Sequence, residues 1–250
     1  MVLDLISKSG IIYLQSTEIR NGDNKMTEQK LKFSTHNSKI MELGKHTGLK
    51  SVSFDLPAGH TCPFADKCLT FADRITGKIT DGKDQKFRCY AASGEAAFPS
   101  VRKMRWYNFE LLNGLSINDM AQLISDSIPN KTKIVRLHSS GDFYNSDYFK
   151  AWIKVAKMNP EINFFGYTKG LMYVREIKPE NFKLVYSYGG KLDSKVTKAD
   201  PVSYVVENKF QADAMGLNLP CEINPSGDYF TILNGESFAL KLHGTQPAMG

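Results

Sequence analysis

Four cysteines are placed where their chemistry matters more than their bulk. Three form Cys62-x5-Cys68-x20-Cys89, among Gly, Pro, Asp and Lys, and Cys221 follows far downstream. An isolated cysteine is commonly a small buried hydrophobe, a role that polar neighbours make hard to fill. Thiolates bind zinc and iron–sulfur clusters, and a metal would organise a segment running from 57 to 92 that lacks apolar contacts of its own. The spacing matches neither a zinc ribbon nor the usual cluster motifs. The expectation is that Cys62, Cys68 and Cys89 converge on one site, with Cys221 as a candidate fourth ligand. An iron–sulfur cluster, [4Fe–4S] in type, is the expected occupant and zinc the alternative.

A second group follows from strand parity. In KIVRLHSSGDFY, Arg136 and His138 are two residues apart and are expected on one sheet face, with Asp142 just beyond the strand end. A mid-strand arginine needs a partner or a polar cavity; an Arg136–Asp142 ion pair holding the loop is the bland alternative. INFFGYTK brings Lys169 to its C-terminal end, and KLVYSYGG brings Ser187, Gly189 and Gly190, where backbone can approach a cofactor. His138, Asp142, Arg136 and Lys169 are the candidate catalytic residues. With a reference pKa near 6.5, His138 would exchange protons with substrate, or would instead be a buried histidine bonded to Asp142. SVRKMRWYN interleaves Arg102, Lys103 and Arg105 with Trp106, a pattern suited to nucleic acid. It equally suits an amphipathic helix with Val101, Met104 and Phe109 inward.

These residues need elements to position them. Ser116 and Asp119 read as a capping box, with Ile117, Met120, Ala121, Ile124 and Ile128 at helical spacing behind it. Ser146 is expected to cap a second helix with Phe149, Trp152, Ile153 and Ala156 inward. Strands are expected at 51–56, 133–140, 162–169, 183–190 and 202–208, and an early one near Gly10–Gln15. Strand–helix–strand crossovers imply parallel pairing. YFTIL and FALKL, joined by Asn234-Gly235, read as a β-hairpin over 229–243. The division is a loose lead-in over 1–50 and a single α/β domain over 51–250, with its cysteine loop at 57–92 and its βα core at 113–210.

Composition sets the outer bounds. A chain with 42% apolar and 23% charged residues is globular rather than disordered. No apolar run reaches the roughly 20 residues of a membrane span, and no leader with a cleavage site is read at the N-terminus. Four cysteines are too few for a disulfide scaffold, so free thiols in a reducing compartment are expected. The formal charge of +6 permits a polyanionic partner without requiring one.

Taken together, LPAGHTCPFADKC, FRCYAASGEAAFPSVRKMRWYN, RLHSSGDFYNSDYFKAW, FFGYTKG and FALKLHGTQPA resemble the phage gene product eighty-eight family over most of 51–248. The resemblance implies a phage protein working in the cytoplasm of an infected bacterium; it supplies no activity. A looser likeness is to radical S-adenosylmethionine enzymes. Their layout is cysteines, then a strand ending in Gly-Asp, then one ending in Thr-Lys. That likeness implies a partial (β/α) barrel with a three-cysteine [4Fe–4S] cluster at its mouth, and S-adenosylmethionine as a further cofactor. Their compact Cys-x3-Cys-x2-Cys differs from the wide spacing here. Two functions stand: a radical-type iron–sulfur enzyme acting on a nucleotide, nucleic acid or host macromolecule, and a non-catalytic, metal-stabilised module binding nucleic acid or a host protein.

Overall fold

The computed structural model describes residues 29–242 and 246; the strand expected near Gly10–Gln15 lies outside them. Along the chain come α1 (Ser38–Thr47), β1 (Ser51–Phe54), β2 (Thr70–Ala72), β3 (Ile79–Asp81), α2 (Tyr90–Ala97), α3 (Pro99–Leu112) and α4 (Ile117–Ser127). The chain continues through β4 (Ile134–Leu137), α5 (Ser146–Met158), β5 (Asn163–Thr168), α6 (Leu171–Arg175), β6 (Phe182–Ser187) and β7 (Val202–Val206). It closes with α7 (Lys209–Ala214), α8 (Pro220–Ile223), α9 (Gly227–Leu233) and β8 (Phe238–Lys241).

Six strands form one parallel sheet in the order β1-β4-β5-β6-β7-β8, curled into a half-barrel. Its convex side carries the larger core. Val52, Phe54, Val135, Leu137 and Phe164 pack there against Met120 and Ile124 of α4 and Phe149, Trp152 and Val155 of α5. Trp152 is fully buried between the rings of Phe54 and Phe164, at 5.4 and 6.0 Å. Both helices start on side-chain caps. Ser116 accepts the Asp119 amide, as expected, whereas α5 is capped by Asn145, one residue ahead of Ser146, through its bond from the Tyr148 amide.

The concave side is smaller and graded. Ile134, Phe165 and Val185 meet Leu43 of α1 with Tyr229 and Ile232 of α9. Two residues further along the same three strands, the same face carries Arg136, Tyr167 and Ser187. The period of two therefore makes this face apolar at one end and polar at the C-terminal mouth.

Three local expectations change. The C-terminal hairpin is not formed: residues 227–233 are helical and β8 pairs parallel with β7. Tyr229 and Ile232, at i and i+3, gain burial on the concave face only as a helix. Gly235, at φ 70°, then stops that helix, a task for which Asn-Gly serves as well as for a hairpin turn. Within the lead-in, α1 is a capped helix whose Ile40 and Leu43 are buried. Within the cysteine loop, β2 and β3 form a small antiparallel ribbon.

Replacing Trp152 by Ala is expected to cost ~3–5 kcal/mol in urea unfolding, from lost burial and the cavity left between sheet and helices. A loss below about 1 kcal/mol would mean that the convex core is not where stability resides.

Candidate functional site

At the mouth, the strand ends and the loop after β1 enclose a cavity of about 550 Å³. Cys62, Cys68 and Cys89 line it together with Arg136, His138, Asp142, Lys169 and Ser187. The three loop cysteines therefore share one cavity with the four candidate catalytic residues. Cys221 stands elsewhere, on α8, with its Sγ 3.4 Å from Lys39 Nζ. All four are free thiols. Burial pushes the Cys62 thiol well up, and Asp142, Cys89 and Cys68 add to it; burial and then Cys68 push Cys89 up to about 11. These thiols hold their protons at neutral pH until a cation replaces them. Among the described residues, no three His, Cys, Asp or Glu are gathered for one metal ion.

The glycine pair holds this loop. The Lys67 amide donates to Gly189 O at 2.9 Å, the Lys191 amide donates to Phe64 O at 2.9 Å, and Ala65 bridges Gly190. A Cβ on Gly190 would lie 2.9 Å from Phe64 O, so only glycine lets the cysteine loop lie this close. Ser187 does reach the cavity, where its carbonyl and hydroxyl accept from Lys169 Nζ at 2.9 and 3.2 Å.

The loop's other end is fixed by buried charge. Cys89 precedes α2, whose Glu95 is fully buried; its Oε1 accepts from the Ala58 amide, Arg105 Nη1 and Ser140 Oγ. Arg105 Nη2 lies 3.9 Å from Asp55, at the end of β1. Arg102 is buried too, donating to the carbonyls of Glu95, Arg74 and Ile75. Arg102 and Arg105 are thus not surface contacts for nucleic acid: α3 buries Arg102, Arg105, Asn108 and Leu112, while Phe109 packs half-buried against the main core as expected and Val101 and Met104 are only half-buried. Lys103 is exposed, and Trp106 packs against His60 with Arg74 above its ring. Sequence reasoning missed Asp55 and Glu95. The available signal was Glu95 as a lone charge in the small-residue run YAASGEAA, where burial is dictated by its neighbours.

The strand-end residues divide. His138 does not share the face of Arg136, because β4 ends at Leu137 and His138 turns at φ 60°. Its ring packs on Phe143 at 4.7 Å, and its Nε2 bonds Tyr148 Oη at 3.0 Å, not Asp142. Burial lowers its pKa to about 3, so it stays neutral. Asp142 makes no ion pair with Arg136. It accepts from the Phe143 amide, Thr168 Oγ1 and the Lys169 amide, tying the β4 loop to the end of β5. Burial outweighs these bonds and raises its pKa to about 6. In this cavity the carboxyl, rather than the imidazole, is poised to exchange a proton near neutrality.

Two outcomes follow. Arg105→Leu strands two buried carboxylates and is expected to cost ~3–5 kcal/mol of unfolding free energy; a cost under about 1 kcal/mol would show the network to be slack. For His138, the unfolded imidazole takes up a proton below about pH 6.5 while the folded one waits until about 3. The stability tied to its neutral form is complete above about 6.5 and is lost as pH falls towards 3. Wild type should therefore lose more stability than His138→Gln between about pH 7 and about pH 5, by up to ~1.4 kcal/mol per unit. Parallel pH profiles would refute it.

Similarity to known proteins agrees with the phage resemblance. The Gene 88 proteins of Mycobacterium phage L5 and Mycobacterium phage D29 are 28% and 27% identical over 111 residues, 40% of this chain and 46% of each relative. The matches thus span about half of those relatives' length. No solved structure matches. The Gene product 88 family profile covers residues 17–241, almost the whole chain. By that match, the chain belongs to the Gene product 88 family, whose curated relatives here are bacteriophage proteins.

Proposed function

We propose that this chain is an iron–sulfur enzyme of radical type, working in the cytoplasm of the infected host on a small, nucleotide-sized substrate. The observation that carries the reading is the shared cavity. Three thiols from the loop after the first strand face the mouth of a six-stranded parallel half-barrel, and the fourth cysteine is engaged elsewhere.

The donor set fits. Cys62, Cys68 and Cys89 would hold the cluster, being soft ligands in a cavity that otherwise offers one carboxylate, Asp142, and the His138 imidazole, whose Nε2 is bonded to Tyr148. With three cysteines, the bound cluster would supply one-electron chemistry at an iron not capped by protein. The remaining work belongs to the chain's own groups. Asp142 holds or releases a proton at its carboxylate, and Lys169 is fixed by the carbonyls of Ser187 and Tyr188. The cavity, about 550 Å³, is large enough for a nucleotide-sized molecule.

Purification without oxygen, with iron and sulfide analysis and an absorption spectrum, tests this. The protein is expected to bind iron and acid-labile sulfide and to absorb in the visible. Cys89→Ala should lose the iron while Cys221→Ala keeps it. Zinc in place of iron, or equal loss in both variants, would favour a closed structural metal site and a non-catalytic module.

A further inference from the structure

Five cationic side chains line the mouth cavity, against the single carboxylate of Asp142. Four of the five are engaged. Lys39 pairs with Asp228 at 3.5 Å, Arg88 with Asp81 at 2.6 Å and Lys241 with Glu222 at 3.7 Å, while Lys169 donates to Ser187 and Tyr188. Arg136 differs. It is only 6% exposed, its Nε is buried without a hydrogen-bond partner, and the contact its guanidinium makes is with the ring of Tyr167, at 5.5 Å. Two nearby acids feel its charge but make no ion pair with it: Asp228 accepts from Tyr167 Oη at 2.6 Å and pairs with Lys39, while Asp55 lies 3.9 Å from Arg105.

A buried guanidinium whose Nε lacks an acceptor is costly unless something else completes the group. Tyr167 can satisfy the face of the group, not its in-plane N–H donors. Those donors form a planar fork that matches the two oxygens of a carboxylate or a phosphoryl group. Arg136 lines the cavity, where a small molecule can reach it.

We propose that Arg136 is the anchor of an anionic-ligand site, in which its in-plane donors grip the carboxylate or phosphoryl group of a small molecule lying in the mouth cavity. This deepens the reading above by naming what the substrate must carry. It stands on Arg136 rather than on the cysteines, so loss of iron and loss of anion binding are separate results.

The test is the thermal midpoint of the full chain, titrated with inorganic phosphate or with acetate, with chloride at matched ionic strength as control. A saturable rise with phosphate or acetate that chloride does not reproduce is expected, because a ligand of the native state raises the midpoint. The anion that saturates at lower concentration identifies the source. In Arg136→Gln, half-saturation should need at least tenfold more of that anion, whereas Arg136→Lys, which keeps the charge but not the fork, should fall between. The proposal is overturned if neither anion raises the midpoint, if chloride raises it as much, or if Arg136→Gln saturates like wild type. Should Arg136→Gln fail to fold, the wild-type comparison of each anion with chloride, read with Arg136→Lys, decides.

Discussion

Arg105 is the point through which the site is held together. Its guanidinium lies buried between Glu95 of α2 and Asp55 at the end of β1, and Glu95 in turn receives the Ala58 amide and the Ser140 hydroxyl. One charge cluster thus joins the helical pair α2–α3, the start of the cysteine loop and the loop after β4. None of these groups could be buried alone, since each charge needs the others to offset its lost hydration. Cys89 stands directly before α2, so its position at the mouth follows from that network together with its packing against Ala58, Ala91 and Ala92.

The curl of the sheet supplies the second constraint. Parallel strands covered on the convex side by α4 and α5 need a second apolar layer only over part of the concave side, where α1 and α9 sit. The uncovered end must be polar, and the period of two delivers Arg136, Tyr167 and Ser187 there. The cavity is therefore a consequence of how much of the concave face the helices cover.

Its chemistry is set by dryness. Burial keeps the Cys62 and Cys89 thiols protonated and His138 neutral, and lifts Asp142 to about 6. A cation arriving among the thiols, or an anion arriving at Arg136, would each meet a partner that the protein itself withholds. Both proposals rest on that complementarity.

The sequence by itself determined the order of elements and the strand-end positions of the site. Alternation and helical spacing are local, and they placed β1, β4 to β7, α4 and α5, and with them Arg136, Asp142, Lys169 and Ser187 at one mouth. That Cys62, Cys68 and Cys89 line one cavity was legible only in part, from the polar loop that carries them. Tertiary structure decided what local patterns leave degenerate. Asn-Gly closes a hairpin or stops a helix equally well, and only the concave face's need for Tyr229 and Ile232 selected the helix. Arg102 and Arg105 read as surface charge until Glu95 and Asp55, both distant in sequence or register, turned α3 over. His138 left the face that parity assigned to it because the strand ended one residue earlier, and backbone at φ 60° no longer alternates. In each case the deciding term was burial in three dimensions, which local alternation does not encode even where the partners, as with Glu95 and Tyr148, are near in sequence.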